Sequence, residues 1–186
     1  LTPPTLTLTY GSFSETSSRS AKRRGLAPLS MGTLYIVATP IGNLGDITLR
    51  ALETLKEVDL ILCEDTRVTK KLLARYKIEK PLLSYHQHSK EEKMQEIFDL
   101  LYKGQNLALV TDAGTPGISD PGFPLIRLAQ QNQIPITVIT GPTAFVAALS
   151  ASGLPSDRFV FEGFLPVKSA ARRKKLETLK DEDRTI

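Results

Sequence analysis

The feature that most constrains the fold of this chain is an alternation. Short, continuous apolar runs are separated by longer stretches whose apolar residues recur at helical spacing. Strands are expected over 34–39, 60–63, 82–85, 107–111 and 136–140, and helices over 48–58, 69–76, 90–102, 123–131 and 143–150. The first helix carries Leu49, Leu52, Leu55 and Lys56 at i, i+3, i+6 and i+7, and the third presents Met94, Ile97, Phe98 and Leu101 on one face. Strands alternating with helices require right-handed crossovers and a mainly parallel sheet. Runs that are apolar throughout belong to strands covered on both sides. The expected fold class is α/β, with a mainly parallel, doubly wound sheet.

With 186 residues, 41% of them hydrophobic, the chain suffices for one domain with a substantial core and the start of another. The expected organisation is a leader over 1–30, a Rossmann-like α/β domain over 31–152, and the start of a second, truncated α/β domain over 153–186. The leader is rich in Ser, Thr and Pro, has no apolar period and precedes Met31. It reads as a disordered upstream extension with Met31 as the native first residue; the alternative is an Arg-rich, Ser-rich transit peptide. Beyond the turn at Gly153-Leu154-Pro155-Ser156-Asp157, a strand is expected to start over 159–161, and a basic helix over 169–179. The net charge of +4 suits an acidic partner without identifying one. A single cysteine, Cys63, excludes an intramolecular disulfide and fits a reducing cytoplasm. No apolar run reaches the length needed to span a bilayer.

Every strand-to-helix loop of such a sheet emerges on one edge, where ligands of open α/β sheets bind. Three of these loops carry little side-chain bulk. Pro40-Ile41-Gly42-Asn43-Leu44-Gly45-Asp46 follows the first strand; it is neither a dinucleotide fingerprint nor a P-loop. Asp112-Ala113-Gly114-Thr115-Pro116-Gly117-Ile118-Ser119-Asp120-Pro121-Gly122 follows the fourth, with three glycines and two prolines in eleven positions. Gly141-Pro142-Thr143-Ala144 follows the fifth, and Thr143 is placed to cap the next helix. The pattern suits a ligand held by main-chain hydrogen bonds. None of the three loops contains Arg or Lys, which argues against a polyphosphate.

Thr39-Pro40-Ile41-Gly42-Asn43-Leu44, Glu64-Asp65-Thr66-Arg67, Ser119-Asp120-Pro121-Gly122, Gly141-Pro142-Thr143-Ala144 and the run from Leu149 to Phe159 occur in the order and spacing of the tetrapyrrole methylase superfamily. From Gly32 to about Arg173 the chain resembles the branch of that superfamily that acts on ribosomal RNA. The resemblance implies two α/β domains with S-adenosylmethionine between them, methylation of the 2′-hydroxyl of a cytidine in the decoding region of 16S ribosomal RNA in the 30S subunit, and a homodimer. The chain departs from that pattern at Val68, where histidine is common, and at Thr140, where proline is.

On this reading the cofactor-binding residues are Pro40, Gly42 and Asn43, then Asp112, Ala113, Gly114, Thr115, Pro116 and Ser119, and finally Gly141, Pro142 and Thr143. Asp112 either bonds the cofactor's ribose hydroxyls or ammonium, or bonds amides of its own loop. Glu64 and Asp65 are the candidate catalytic carboxylates, and the residues do not say which is the base. Arg67 is expected to grip an RNA phosphate; otherwise Asp65 or Thr66 simply caps a helix beside a solvated arginine. His86 and His88 are expected on one face of an extended segment, touching RNA or plain solvent. Together with Cys63 they offer ligands scattered over different loops, so no metal site is expected. Arg172 and Arg173 on the basic helix are expected to contact phosphate. Two alternatives stand beside RNA methylation: a small-molecule tetrapyrrole methylase, and an inactive RNA-binding fragment.

Overall fold

The structure is a computed structural model and describes residues 31–86, 91–120 and 122–186. The expected leader and the expected contact residue His88 lie outside the described residues. Five strands, β1 (Leu34–Val37), β2 (Leu60–Cys63), β3 (Leu82–Ser84), β4 (Leu107–Leu109) and β5 (Ile136–Ile139), form one parallel sheet in the order β3-β2-β4-β1-β5. They alternate with helices α1 (Leu49–Glu57), α2 (Thr66–Arg75), α3 (Glu91–Tyr102), α4 (Phe123–Gln131) and α5 (Ala144–Ser152), and α6 (Ser169–Leu179) follows. The α/β class and the parallel, doubly wound sheet are as expected.

Two buried clusters show which helix covers which face. Val37, Ile61, Cys63, Ala108 and Val110 pack with Ala51 and Leu55 of α1 and Leu72 and Leu73 of α2. The alternate strand residues Leu34, Ile36, Leu62, Leu107 and Leu109 pack with Ile97, Phe98 and Leu101 of α3 and Leu125 and Ala129 of α4. This is the period-two alternation of a sheet buried on both sides. Helices α1 and α2 therefore lie on one face, α3 and α4 on the other. Because the strand order interleaves them, neighbouring strands from β3 to β1 send their chains to opposite faces, and the carboxyl edge is split at each joint. Such splits are where open α/β sheets hold ligands.

The edge also corrects several expected boundaries. The strand expected over 34–39 stops at Val37 because Thr39 pairs antiparallel with Gly114: Thr39 N donates to Gly114 O at 2.9 Å and Gly114 N to Thr39 O at 3.1 Å. Helix α2 starts at Thr66 rather than 69, since the Asp65 carboxylate accepts from Arg67 N at 2.8 Å and caps it. No strand forms over 159–161; Phe159 makes only an isolated bridge to Thr185. Residues 153–160 are mostly exposed, and the segment is tied back by Phe145 of α5, whose ring stacks on Phe161 at 4.8 Å and Phe159 at 5.9 Å. No helix among the described residues is long and apolar enough to cross a membrane.

Candidate active site

At the carboxyl ends of β2, β3 and β4 the loops enclose an open cleft of about 430 Å³, lined by Glu64, Asp65, Thr66, Arg67, Ser84, His86 and Asp112. The two adjacent carboxylates have opposite environments. Asp65 caps α2 and holds Arg67 in a fork, with Arg67 Nη2 at 2.6 Å and Nε at 3.0 and 3.1 Å from its oxygens. The side-chain bonds from Arg67, then its backbone N–H, bring Asp65 down to about 2. No group among the described residues hydrogen-bonds the Glu64 carboxylate, whose residue accepts only at its backbone carbonyl, from Ser84 Oγ at 3.4 Å. Desolvation raises its pKa first, and the nearby Asp112 and Asp120 carboxylates raise it further, with His86 opposing. One carboxylate is locked as an anion by its arginine; the other is desolvated among like charges.

Asp112 does not bond amides of its own loop among the described residues. Its Oδ1 accepts from Asp65 N at 3.1 Å, so it rivets the β4 loop to the β2 loop. Two side chains that the sequence reading missed also shape the cleft. Ser84 Oγ lies 2.8 Å from His86 Nε2 and 3.4 Å from Glu64 O, which fixes the imidazole at the cleft wall. Asp120 stands behind, its carboxyl raised by burial, with the Thr111 hydroxyl pulling it back and Asp112 pushing it up. A serine ending a strand carries no distinguishing spacing, and the motif around Asp120 does not say that its carboxylate faces Glu64. Both roles become visible only when the loops converge.

The three glycine loops meet beside this cleft, above β4, β1 and β5. The Thr39–Gly114 bridge joins the first two, reinforced by Thr39 Oγ1 donating to Thr111 O at 2.9 Å. The second and third join through Thr115 Oγ1 and Thr143 Oγ1, 3.0 Å apart. Thr143 precedes α5 but makes no side-chain cap, contrary to expectation; its hydroxyl turns to Thr115 and Gly141 instead. Asn43 is engaged likewise, its Oδ1 accepting from Gly45 N at 2.9 Å. Pro40, Gly42, Gly114, Thr115, Gly141 and Pro142 are thus brought together, with Ala113, Pro116 and Ser119 on the same β4 loop. Arg172 and Arg173 lie on exposed α6 and take no part in the cleft.

The class of protein that this fold and edge define is the tetrapyrrole (corrin/porphyrin) methylases: the family model matches residues 33–186, and the chain belongs to that family. Within it, the chain stands in the ribosomal RNA small subunit methyltransferase I branch. It is 56% identical over 156 residues to the Synechocystis sp. protein of that name, covering 84% of this chain and 56% of the relative. With the Thermotoga maritima protein of that name it shares 51% over 156 residues, 84% of this chain and 70% of the relative. A solved uroporphyrin-III-C-methyltransferase from Thermus thermophilus matches with a TM-score of 0.53 at 27% identity, over 67% of this chain and 54% of that one. The chain spans little more than half the length of several of these proteins.

Methylases of this family use S-adenosylmethionine. The glycine cradle fits such a group. Gly42 and Gly114 hold φ of +155° and +90°, which side chains rarely adopt; a Cβ at Gly42 would meet nothing within 4 Å, and one at Gly114 only Ile41 Cγ2 at 3.6 Å. The loops therefore present bare backbone to open space and bring no cation, which suits a positively charged sulfonium better than a polyphosphate. Gly114→Val is expected to weaken S-adenosylmethionine binding at least tenfold, because it combines a strained backbone with a branched side chain in that space. Isothermal titration checks this, and unchanged affinity would remove the loop from the cofactor site.

Proposed function

We propose that the protein transfers a methyl group from S-adenosylmethionine to the 2′-hydroxyl of a cytidine in the decoding region of 16S ribosomal RNA. The observation that carries the reading is the split pair Glu64/Asp65 in an open cleft beside the glycine cradle. The relatives' names support the RNA class, and the sequence resemblance supports the nucleoside position. When bound, the cofactor supplies an electrophilic methyl carbon on a sulfonium.

The chain's own residues supply position and proton transfer. The cradle of Pro40 to Asn43, Asp112 to Ser119 and Gly141 to Thr143 holds the donor from the β1 side. The cleft at Glu64 receives the ribose from the β2 side, with the Asp112 rivet keeping the two in register. Glu64 would accept the proton of the 2′-hydroxyl as that oxygen takes up the methyl group the bound donor would supply. Asp65 is too strongly stabilised as an anion to be that base; it aims Arg67, which is exposed at the cleft mouth, toward a backbone phosphate. His86, fixed by Ser84, faces the same nucleotide, and Arg172 and Arg173 add distant phosphate contacts.

The test is methylation of small ribosomal subunits with labelled cofactor, followed by digestion to nucleosides. Label in 2′-O-methylcytidine supports the reading. Label entering uroporphyrinogen instead would favour the tetrapyrrole chemistry that the name of the Thermus thermophilus structure states for that protein.

A further inference from the structure

The outer face of α2 carries a stripe of cations that the cleft leaves unexplained. Arg67, Lys70, Lys71 and Arg75 stand at i, i+3, i+4 and i+8 and share one side of the helix. All four are exposed, while Thr69, Leu72 and Leu73 on the other side are buried. The helix contains no acidic residue. Arg67 is paired with Asp65, but among the described residues Lys70, Lys71 and Arg75 have no ion pair. Elsewhere Lys93 is balanced by Glu96 and Lys175 by Glu162, while Lys56 and Lys174 have no ion pair; among the described helices only α2 gathers unpaired cations in a row along one face. Arg67 also stands in the first turn, where the helix dipole disfavours a cation and Asp65 offsets it; Arg75 suits the last turn, and Lys70 and Lys71 between them have no local counter-charge. A breach of local electrostatics without local compensation marks a surface kept for a partner.

The stripe has a direction. Arg67 lines the cleft, and at 1.5 Å per residue the row runs about 12 Å outward to Arg75. Arg75 rests over the Tyr76 ring at 5.9 Å, and Tyr76 Oη donates to Leu44 O at 2.6 Å, so the far end is anchored to the fold.

We propose that this face of α2 is a track for the sugar–phosphate backbone of the RNA strand flanking the nucleotide held in the cleft. The inference rests on the RNA methylation reading and adds to it the surface that sets the strand's path. A row of exposed cations contacts phosphates and positions a strand without reading its bases.

The test compares Lys70→Gln/Lys71→Gln/Arg75→Gln with the unaltered protein for binding to 16S ribosomal RNA across a salt series. At about 0.7 to 0.9 per phosphate contact, the log–log salt slope is expected to become shallower by about two, with affinity at least tenfold lower near physiological salt. S-adenosylmethionine affinity and melting temperature should not move, and Lys93→Gln on the opposite face of the sheet should behave as the unaltered protein. A triple variant with the full slope and affinity overturns the track while leaving the methylation reading in place. If the unaltered protein fails to bind ribosomal RNA above a duplex DNA control, the reading and the track fall together. Loss of binding to phosphatidylserine vesicles with RNA binding intact would assign the stripe to a membrane surface and overturn the proposal.

Discussion

Glu64→Gln is expected to lower the rate of methyl transfer by roughly two to four orders of magnitude, the range that a positioned general base contributes. Glutamine keeps the size of the side chain and removes its capacity to take a proton. The unaltered enzyme should show an activity limb that rises with pH through a midpoint above the ordinary glutamate value of about 4.3, because desolvation and the carboxylates of Asp112 and Asp120 raise Glu64. The variant should lose that limb. Its stability should not suffer. A carboxyl whose pKa is raised on folding stabilises the native state at low pH, and that contribution is lost as pH rises through the folded value, so at neutral pH the glutamine removes a burden. Binding of S-adenosylmethionine should be retained, which separates lost chemistry from a lost cofactor. Asp65→Ala gives the contrast: it strips the cap from α2 and frees Arg67, so it should weaken RNA binding and helix stability while the activity limb that rises with pH is kept. A Glu64→Gln enzyme with full rate and an unchanged pH profile would remove Glu64 as the base.

The second large effect concerns stability. Gly32→Ala is expected to destabilise the fold by roughly 3 kcal/mol and to lower the melting temperature by about 10 °C. A Cβ at Gly32 would fall on the backbone carbonyl of Gln105, well inside van der Waals contact. The neighbour is main chain and cannot swing aside as the tip of a side chain could. Gly32 N also donates to Leu101 O at 2.8 Å and Leu107 N to Thr33 O at 2.9 Å, so the entry to β1 is pinned between the end of α3 and the start of β4. Relief of the overlap must displace β1, the strand flanked by β4 and β5. A thermal melt followed by circular dichroism measures the effect; a variant melting within 2–3 °C of the parent would show that the entry can relax.

The layers of this fold are legible in the sequence because apolar periodicity is a local signal. The runs at Leu60–Cys63 and Phe123–Gln131 match the observed elements to the residue. Boundaries shift where a loop competes with the ladder, as at Thr39, which leaves parallel pairing for Gly114. The expected strand over 159–161 fails because Phe159 and Phe161 turn their rings to Phe145, and apolar residues alone do not say whether they will join a sheet or a helix side. At the site, the glycine loops are recognisable by composition and spacing. The division between Glu64 and Asp65 is not, since both are carboxylates at adjacent positions. It arises from the Arg67 fork on one side and from Asp112 and Asp120, which are close to Glu64 only after β4 has paired with β2.

The interleaved sheet also bears on how the chain is made. Leu34 of β1 pairs with Leu107 and with Ile136, so β1 has no partner in the sheet until more than seventy further residues have followed. The earliest pairing open to the nascent chain is β2 with β3, which brings Ile61 beside Leu82. Until β4 and β5 arrive, β1 is an apolar ribbon with both edges bare, the kind of segment that associates with other chains. Closure of long loops before any reward from pairing makes such topologies slow to fold. Assembly of the sheet therefore waits on β4 as the keystone, and the loops around Asp112 fall into place only when it is set.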